Sequence, residues 1–203
     1  MEIIDQQVNI LSPASREEAI RGLKLVEYAG RNCYKSQNKI TEDSYDGFIN
    51  SLMKRGHESP LEFTDVVVEL ITSRDVMAEL TRHRLASFCI QSQRYVKDNR
   101  NGEIPFIRPA FWGMKPQLEE EWQQDCKQTE AAYRRMILLG AGAQDARKVL
   151  NNSVATSIVM KANLREWLHV LEMRDSPTAY PEMQILAAML RHELRHLFPG
   201  LFC

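Results

Sequence analysis

Helix-start signals punctuate this chain, with strand-like runs set between them, and that alternation narrows the fold more than any other feature of the sequence. Ser15 is followed three residues on by Glu18, the spacing of a capping box, and Ile20, Leu23 and Val26 then recur at the helical period. A helix from about Arg16 to Ala29 is expected. Tyr45, Phe48, Ile49 and Leu52 repeat the pattern within TEDSYDGFINSLMKRG, where Gly56 is placed to end the helix. Asn163 and Glu166 open NLREWLHVLEMR with capping-box spacing, and Pro181 takes the first-turn position of PEMQILAAMLRHELRHLF. Ser73 reads as the cap of RDVMAELTRHR, which puts Arg82, His83 and Arg84 in that helix's last turn. LEFTDVVVELI and SVATSIVMK are rich in β-branched residues and read as strands. A long helix is expected through EEWQQDCKQTEAAYRRMILLG and a short one through AQDARKVL, while NGEIPFIRPAFWGMKP reads as loop with short extended pieces. The class implied is α+β, a small antiparallel sheet flanked by helices.

With 203 residues and no linker, repeat or low-complexity tract, one domain spanning 1–203 is expected. The 26 Lys and Arg balance 27 Asp and Glu, so no gross field marks the chain for a nucleic-acid polymer or an anionic membrane. No apolar run approaches a membrane span, and the N-terminal MEIIDQQVNI has no basic segment followed by an apolar one. Cys33, Cys89, Cys126 and Cys203 are scattered, which suits reduced thiols. A cytoplasmic protein is the expectation.

In a neutral chain, local clusters of cations need a local purpose. TRHRLASFCIQSQRYVK places Arg82, His83, Arg84 and Arg94 close together, with Lys97 after them. Complementing a helix dipole would account for the first three. Arg165 is less easily explained, because it sits in the first turn of its helix, where the dipole disfavours a cation. Either a surface carboxylate reaches it, or an anion such as phosphate lies in front of both the guanidinium and the free N–H groups. Arg147 and Arg174 are unremarkable singly, but the set offers forked donors suited to phosphates and planar carbonyl-bearing rings. HELRH, His192 to His196, matches H-E-x-x-H, a zinc-binding pattern. Only LFPGLFC follows, with no third ligand of the usual kind, and Arg191 and Arg195 flank the motif, so an amphipathic helix with a basic end is preferred to a metal site.

RHRLASFCIQSQRY resembles the signature of the flavin-dependent thymidylate synthases: R-H-R, then Ser92, Arg94 and Tyr95. GRNCYKS, GHESPLEF, ARKVL, NLR and MR occur in that family's order, so the resemblance runs from about Gly30 to Gln184. It implies a homotetramer with active sites between subunits, converting dUMP to dTMP with carbon from methylenetetrahydrofolate and hydride from FAD reduced by NADPH. By the same resemblance, Arg82, His83 and Arg84, with His57, Ser59 and Cys33, would face FAD, and Asn163, Arg165 and His169 would hold it from the capped helix. Gln91, Ser92, Gln93 and Arg94, with Arg147 of another subunit, resemble the nucleotide-phosphate site. Glu79 and Arg82 would also meet the nucleotide. Arg174 resembles the catalytic arginine that polarises uracil at N3 and O2.

Three departures stand out. Cys89, Ile90 and Gln91 occupy a loop that usually carries an acidic residue, Phe63 stands at a histidine position, and so does Thr178. They leave open a homologue that binds nucleotide or flavin without efficient catalysis; a metallohydrolase built on HELRH is the remaining alternative.

Overall fold

The computed structural model describes residues 1–94 and 103–202. Tyr95 and Lys97 of the arginine-rich stretch, and Cys203, lie outside the described residues. The strands are β1 (Glu2–Ile4), β2 (Gln7–Ser12), β3 (Asp65–Ser73), β4 (Ser87–Ile90), β5 (Pro105–Ile107) and β6 (Ala155–Asn163). The helices are α1 (Arg16–Asn32), α2 (Ser44–Arg55), α3 (Arg74–Leu80), α4 (Pro116–Leu138), α5 (Ala143–Ala146), α6 (Leu164–Arg174) and α7 (Pro181–Leu197). Four strands form one sheet in the order β2-β3-β6-β4, and β1 pairs with β5 separately. The α+β class holds. The β1–β5 pair is parallel, Glu2 opposite Pro105 and Ile4 opposite Ile107, which departs from an all-antiparallel expectation.

In β3 the pattern is alternation: Val66, Val68 and Leu70 are fully buried while the residues between them are not. In β6, Ile158, Met160 and Ala162 do the same. Each of these strands runs into a helix without a loop. Ser73 and Asn163 keep extended backbone angles, φ −80° with ψ 164° and φ −76° with ψ 168°, and the next residue begins the helix. Asn163 Oδ1 accepts from the Glu166 amide at 2.9 Å. At Ser73 the expected side-chain cap is replaced by a relay: its hydroxyl bonds the Asp75 carboxylate, which accepts from the Val76 amide at 2.8 Å. Ser15 Oγ accepts from Glu18 N at 3.3 Å and Glu18 returns to the amide of Ala14 at 2.7 Å, so this box closes one residue early.

The described residues divide into two compact units. The first comprises Met1–Gln7, Leu70–Arg82 and Cys89–Ile158, and its core gathers Ile104, Phe106, Cys126, Tyr133, Ala146 and Val154. The second comprises Val8–Glu69, His83–Phe88 and Val159–Cys203. Here α1 packs on α2, on α7 and on a short 3-10 turn at Ser59–Phe63, and α6 packs on that turn and on α7. Trp167 of α6 is fully buried and donates from its indole nitrogen to the Val66 carbonyl at 3.1 Å. Gly30 allows the close approach of α1: a Cβ there would lie 2.7 Å from the Phe48 ring and 3.3 Å from Pro60.

Three strands escape the sequence pattern, and a fourth starts later than its pattern predicts. β1, β2 and β4 are short, with partners far away in sequence, so local pattern says little about them. SPLEF forms the 3-10 turn, and the strand begins at Asp65 rather than at Leu61.

Candidate functional site

The N-terminal end of α6 is the organising point of the second unit. Arg165 is half-exposed, and its Nη1 meets Glu62 Oε1 at 2.7 Å while its Nε lies 3.5 Å from Glu58 Oε2. The anion that a first-turn arginine calls for is thus supplied by carboxylates in and beside the Ser59–Phe63 turn. Of the two sequence readings of a first-turn arginine, a carboxylate partner or a bound anion, the carboxylate partner is present here. Two cavities flank this point, and Arg165 and Glu58 line both. One, of about 420 Å³, is walled by Cys33, His57 and Ser59 against Phe48 and Pro60. The other, of about 520 Å³, is walled by Asn163, His169, Leu85, Glu62, Glu166 and Glu172.

Arg82, His83 and Arg84 do not lie in a helix turn. α3 ends at Leu80, and the chain closes with the Thr81 amide on Met77 O at 3.1 Å and the Arg82 amide on Glu79 O at 3.2 Å. No basic residue falls in the last turn of α3, so the dipole account of these three fails. In the turn that follows, Arg82 and Arg84 are exposed and His83 is buried, at 4 % exposure.

His83 meets three side chains of α6. Arg174 Nε donates to its Nε2 at 3.0 Å, its Nδ1 lies 3.3 Å from Glu166 Oε1, and the His169 ring meets it edge-on at 5.8 Å between centroids. Because Nε2 accepts, the proton of the neutral ring sits on Nδ1, facing Glu166. Burial, reinforced by the charges of Arg174 and His169, pushes the imidazole pKa down to about 4. Burial also raises the Glu166 carboxyl above its usual range, partly opposed by His169.

The residues expected at the nucleotide belong, apart from Arg174, to the first unit. Glu79 is half-buried on α3. Gln91 is fixed through its main chain: its amide donates to Ser157 O at 2.9 Å and its carbonyl accepts from Arg74 Nη2 at 3.3 Å. Ser92 Oγ accepts from the Arg94 amide at 3.3 Å, a tight turn from which the Arg94 side chain emerges exposed, with Gln93 half-buried between them. Arg147, exposed at the end of α5, donates from Nε to Gln144 O at 3.2 Å. His192 and His196 of HELRH are exposed on α7, and among the described residues no three His, Cys, Asp or Glu side chains gather as a metal site would require.

Residues 18–200 match the sequence model of the thymidylate synthase complementing protein family. The chain belongs to this family. A probable flavin-dependent thymidylate synthase of Mycobacterium phage D29 is 33 % identical over 192 residues, covering 88 % of this chain and 81 % of the phage protein. The flavin-dependent thymidylate synthase of Pyrococcus furiosus is 32 % identical over 179 residues, covering 87 % and 73 % respectively. In fold, the chain is similar to the crystal structure of the UMP/dUMP methylase PolB from Streptomyces cacaoi bound with 5-Br dUMP. The TM-score is 0.80, identity is 21 %, and the match covers 100 % of this chain and 95 % of that one. Membership makes the chain an enzyme of the flavin-dependent thymidylate synthase class.

Family reasoning alone does not single out Glu58, Glu62, Glu166 or Arg74. Glu62 and Glu58 carry a detectable signal, since an arginine in a helix's first turn has to find carboxylates nearby. Glu166 has one too: it stands at the N3 position of a capping box, yet its side chain is buried and turned to His83.

Proposed function

We propose that this chain is a flavin-dependent thymidylate synthase that converts dUMP to dTMP, with methylenetetrahydrofolate as carbon donor and FAD reduced by NADPH as hydride source. The observation that carries the reading is the gathering of Cys33, His57, Ser59, Asn163, Arg165 and His169 around two adjoining cavities that share Arg165 and Glu58. The six come from three separate stretches of the sequence, around residues 33, 57–59 and 163–169, and each is a residue that the family resemblance assigns to the flavin.

The residues present fit such a group. The paired cavities suit an elongated ligand with an apolar face against Phe48 and Pro60 and a polar edge at His57, Asn163 and Arg165. A diphosphate at Arg165 competes with Glu62 for the guanidinium, so binding there involves release of that ion pair. The flavin, when bound and reduced, supplies the hydride; the protein supplies position and charge. Arg82 and Arg84 offer exposed guanidinium groups to a cofactor or nucleotide. Arg94 and the Ser92 turn, with Arg147 of another subunit, hold the nucleotide phosphate, and Glu79, Gln91 and Gln93 complete that side. Arg174 places its planar fork against uracil O2 and N3, where charge develops as C5 becomes nucleophilic. The flavin route requires no protein thiol as nucleophile, and burial pushes the Cys126 thiol up to about 11, which keeps it protonated.

The working protein is a cytoplasmic homotetramer with sites between subunits, each chain acting as one family domain. Among the described residues no helix is long and apolar enough to cross a membrane. The test is dTMP formation from dUMP in the presence of FAD, NADPH and methylenetetrahydrofolate, with each omitted in turn. Formation that stops on omitting any one supports the reading; a chain that binds flavin and dUMP yet forms no dTMP is the impaired homologue instead.

A further inference from the structure

Arg174 stands at the last position of α6, and its long side chain has several rotatable bonds beyond the χ1 that the preceding helical turn restricts. A guanidinium that must present a planar edge to a ring is useful only if its plane is set beforehand. The side chain of His83 does this. It is buried, its Nε2 receives the Arg174 Nε hydrogen at 3.0 Å, and that bond occupies the one guanidinium nitrogen whose direction defines the plane relative to the side chain. The ring is in turn restrained by Glu166 Oε1 at its other nitrogen and by the edge of His169, so three residues on one face of α6 determine its setting. The exposed Arg82 and Arg84 flank it in sequence and share none of these contacts.

We propose that His83, oriented by the buried Glu166, is a positioning residue for Arg174, fixing the plane of the guanidinium that polarises the uracil. The inference rests on the uracil role assigned to Arg174 above. It differs from a flavin-contact role for His83 in a measurable way: a residue acting through Arg174 has nothing left to do once Arg174 is gone. The acceptor at the ε position is the essential feature, and neutral imidazole provides it at physiological pH because burial disfavours the charged ring.

The test is a double-mutant cycle in the FAD-loaded protein with kcat, dUMP affinity by equilibrium dialysis and FAD affinity measured separately. His83→Leu is expected to lower kcat roughly 10- to 100-fold, as a misplaced group does, with FAD affinity unchanged. In an Arg174→Ala background the same substitution is expected to have no further effect on kcat. Losses that multiply in the double variant would overturn the proposal while leaving the uracil role intact. So would a weakened FAD affinity in His83→Leu alone. Should His83→Leu fail to fold, the comparison passes to His83→Gln, which keeps an acceptor near the ε position, and His83→Asn, which keeps one only near the δ position. Gln is expected to retain several-fold more kcat than Asn, and equal activity in the two contradicts the proposal. Glu166→Gln, which keeps a carbonyl acceptor for Nδ1–H, is expected to outperform Glu166→Leu in kcat at equal FAD affinity; no difference between them removes Glu166 from the assignment. Full turnover in Arg174→Ala alone is a separate result: it overturns the uracil role itself, and the positioning role with it.

Discussion

Two arginines of the proposed site differ in when their contacts matter. A phosphate contact at Arg94 is made equally before and during reaction, whereas a contact at uracil O2 and N3 strengthens as charge develops. Arg174→Lys keeps the charge but loses the planar fork, so it is expected to lower turnover at saturating dUMP about a hundredfold to a thousandfold while dUMP affinity changes little. Arg94→Lys is expected to do the reverse, weakening dUMP with kcat nearly kept. Steady-state kinetics with a direct binding measurement separates the two, and normal saturated turnover in Arg174→Lys contradicts the role given to it. His83 makes a pH prediction. Its pKa falls from an ordinary 6.5 to about 4 in the folded protein, so between those values the unfolded chain binds the proton more readily. The stability due to this neutral, buried ring is therefore complete above about pH 6.5 and is lost as pH falls towards 4. Glu166, with its raised carboxyl, works in the opposite sense, so the informative quantity is the difference between parent and His83→Gln. That difference is expected to shrink by at most about 3 kcal/mol over this window, as read by denaturant unfolding; a pH-independent difference contradicts a neutral buried His83.

The helices carry the site because their ends do. α6 begins on the last residue of β6, so Asn163, Arg165 and Glu166 are set by the strand as much as by the helix. Arg165 faces the cavities with Glu62 as its resting partner. If FAD takes the guanidinium from that carboxylate, Arg165→Ala is expected to weaken FAD by about 1–3 kcal/mol, and Glu62→Gln to strengthen it several-fold. Flavin titration measures both; unchanged affinity in Arg165→Ala removes it as a cofactor ligand. α1 depends on Gly30 for its approach to Phe48 and Pro60. Gly30→Ala gains helix propensity of about 1 kcal/mol but drives a methyl into the Phe48 ring, and a net loss of about 1–2 kcal/mol in unfolding free energy is expected. A stabilised variant would mean that Phe48 moves aside freely. α1 and α6 with their side-chain caps, and α7 with Pro181 in its first turn, are legible in the sequence because start signals and period are local properties. β1, β2 and β4 are not, because three to six residues whose partners lie elsewhere in the chain carry too little local pattern. At the site, His57, Ser59, Asn163 and Arg165 are legible through motif and capping. The inward turn of His83 is not, since a run of three cations reads as one feature until the backbone turns the middle one into the core.

At the scale of the whole molecule, the proposed reaction requires a flavin and a nucleotide to meet on this chain. Exposed apolar side chains such as Leu138 and Leu139, at 85 % and 86 % exposure on the end of α4 and just beyond it, accord with the proposed assembly of subunits. The departures at Cys89–Ile90–Gln91, Phe63 and Thr178 are expected to bear on flavin-ring contacts and on the rate of the reaction more than on the fold. The most direct measurement is the visible absorbance spectrum of the purified protein with FAD, before and after dUMP. A protein-bound flavin spectrum that dUMP perturbs in a saturable way is expected, the perturbation shifting to higher dUMP concentration in Arg94→Lys. A spectrum identical to that of free flavin, or a bound spectrum that saturating dUMP leaves unchanged, would contradict it.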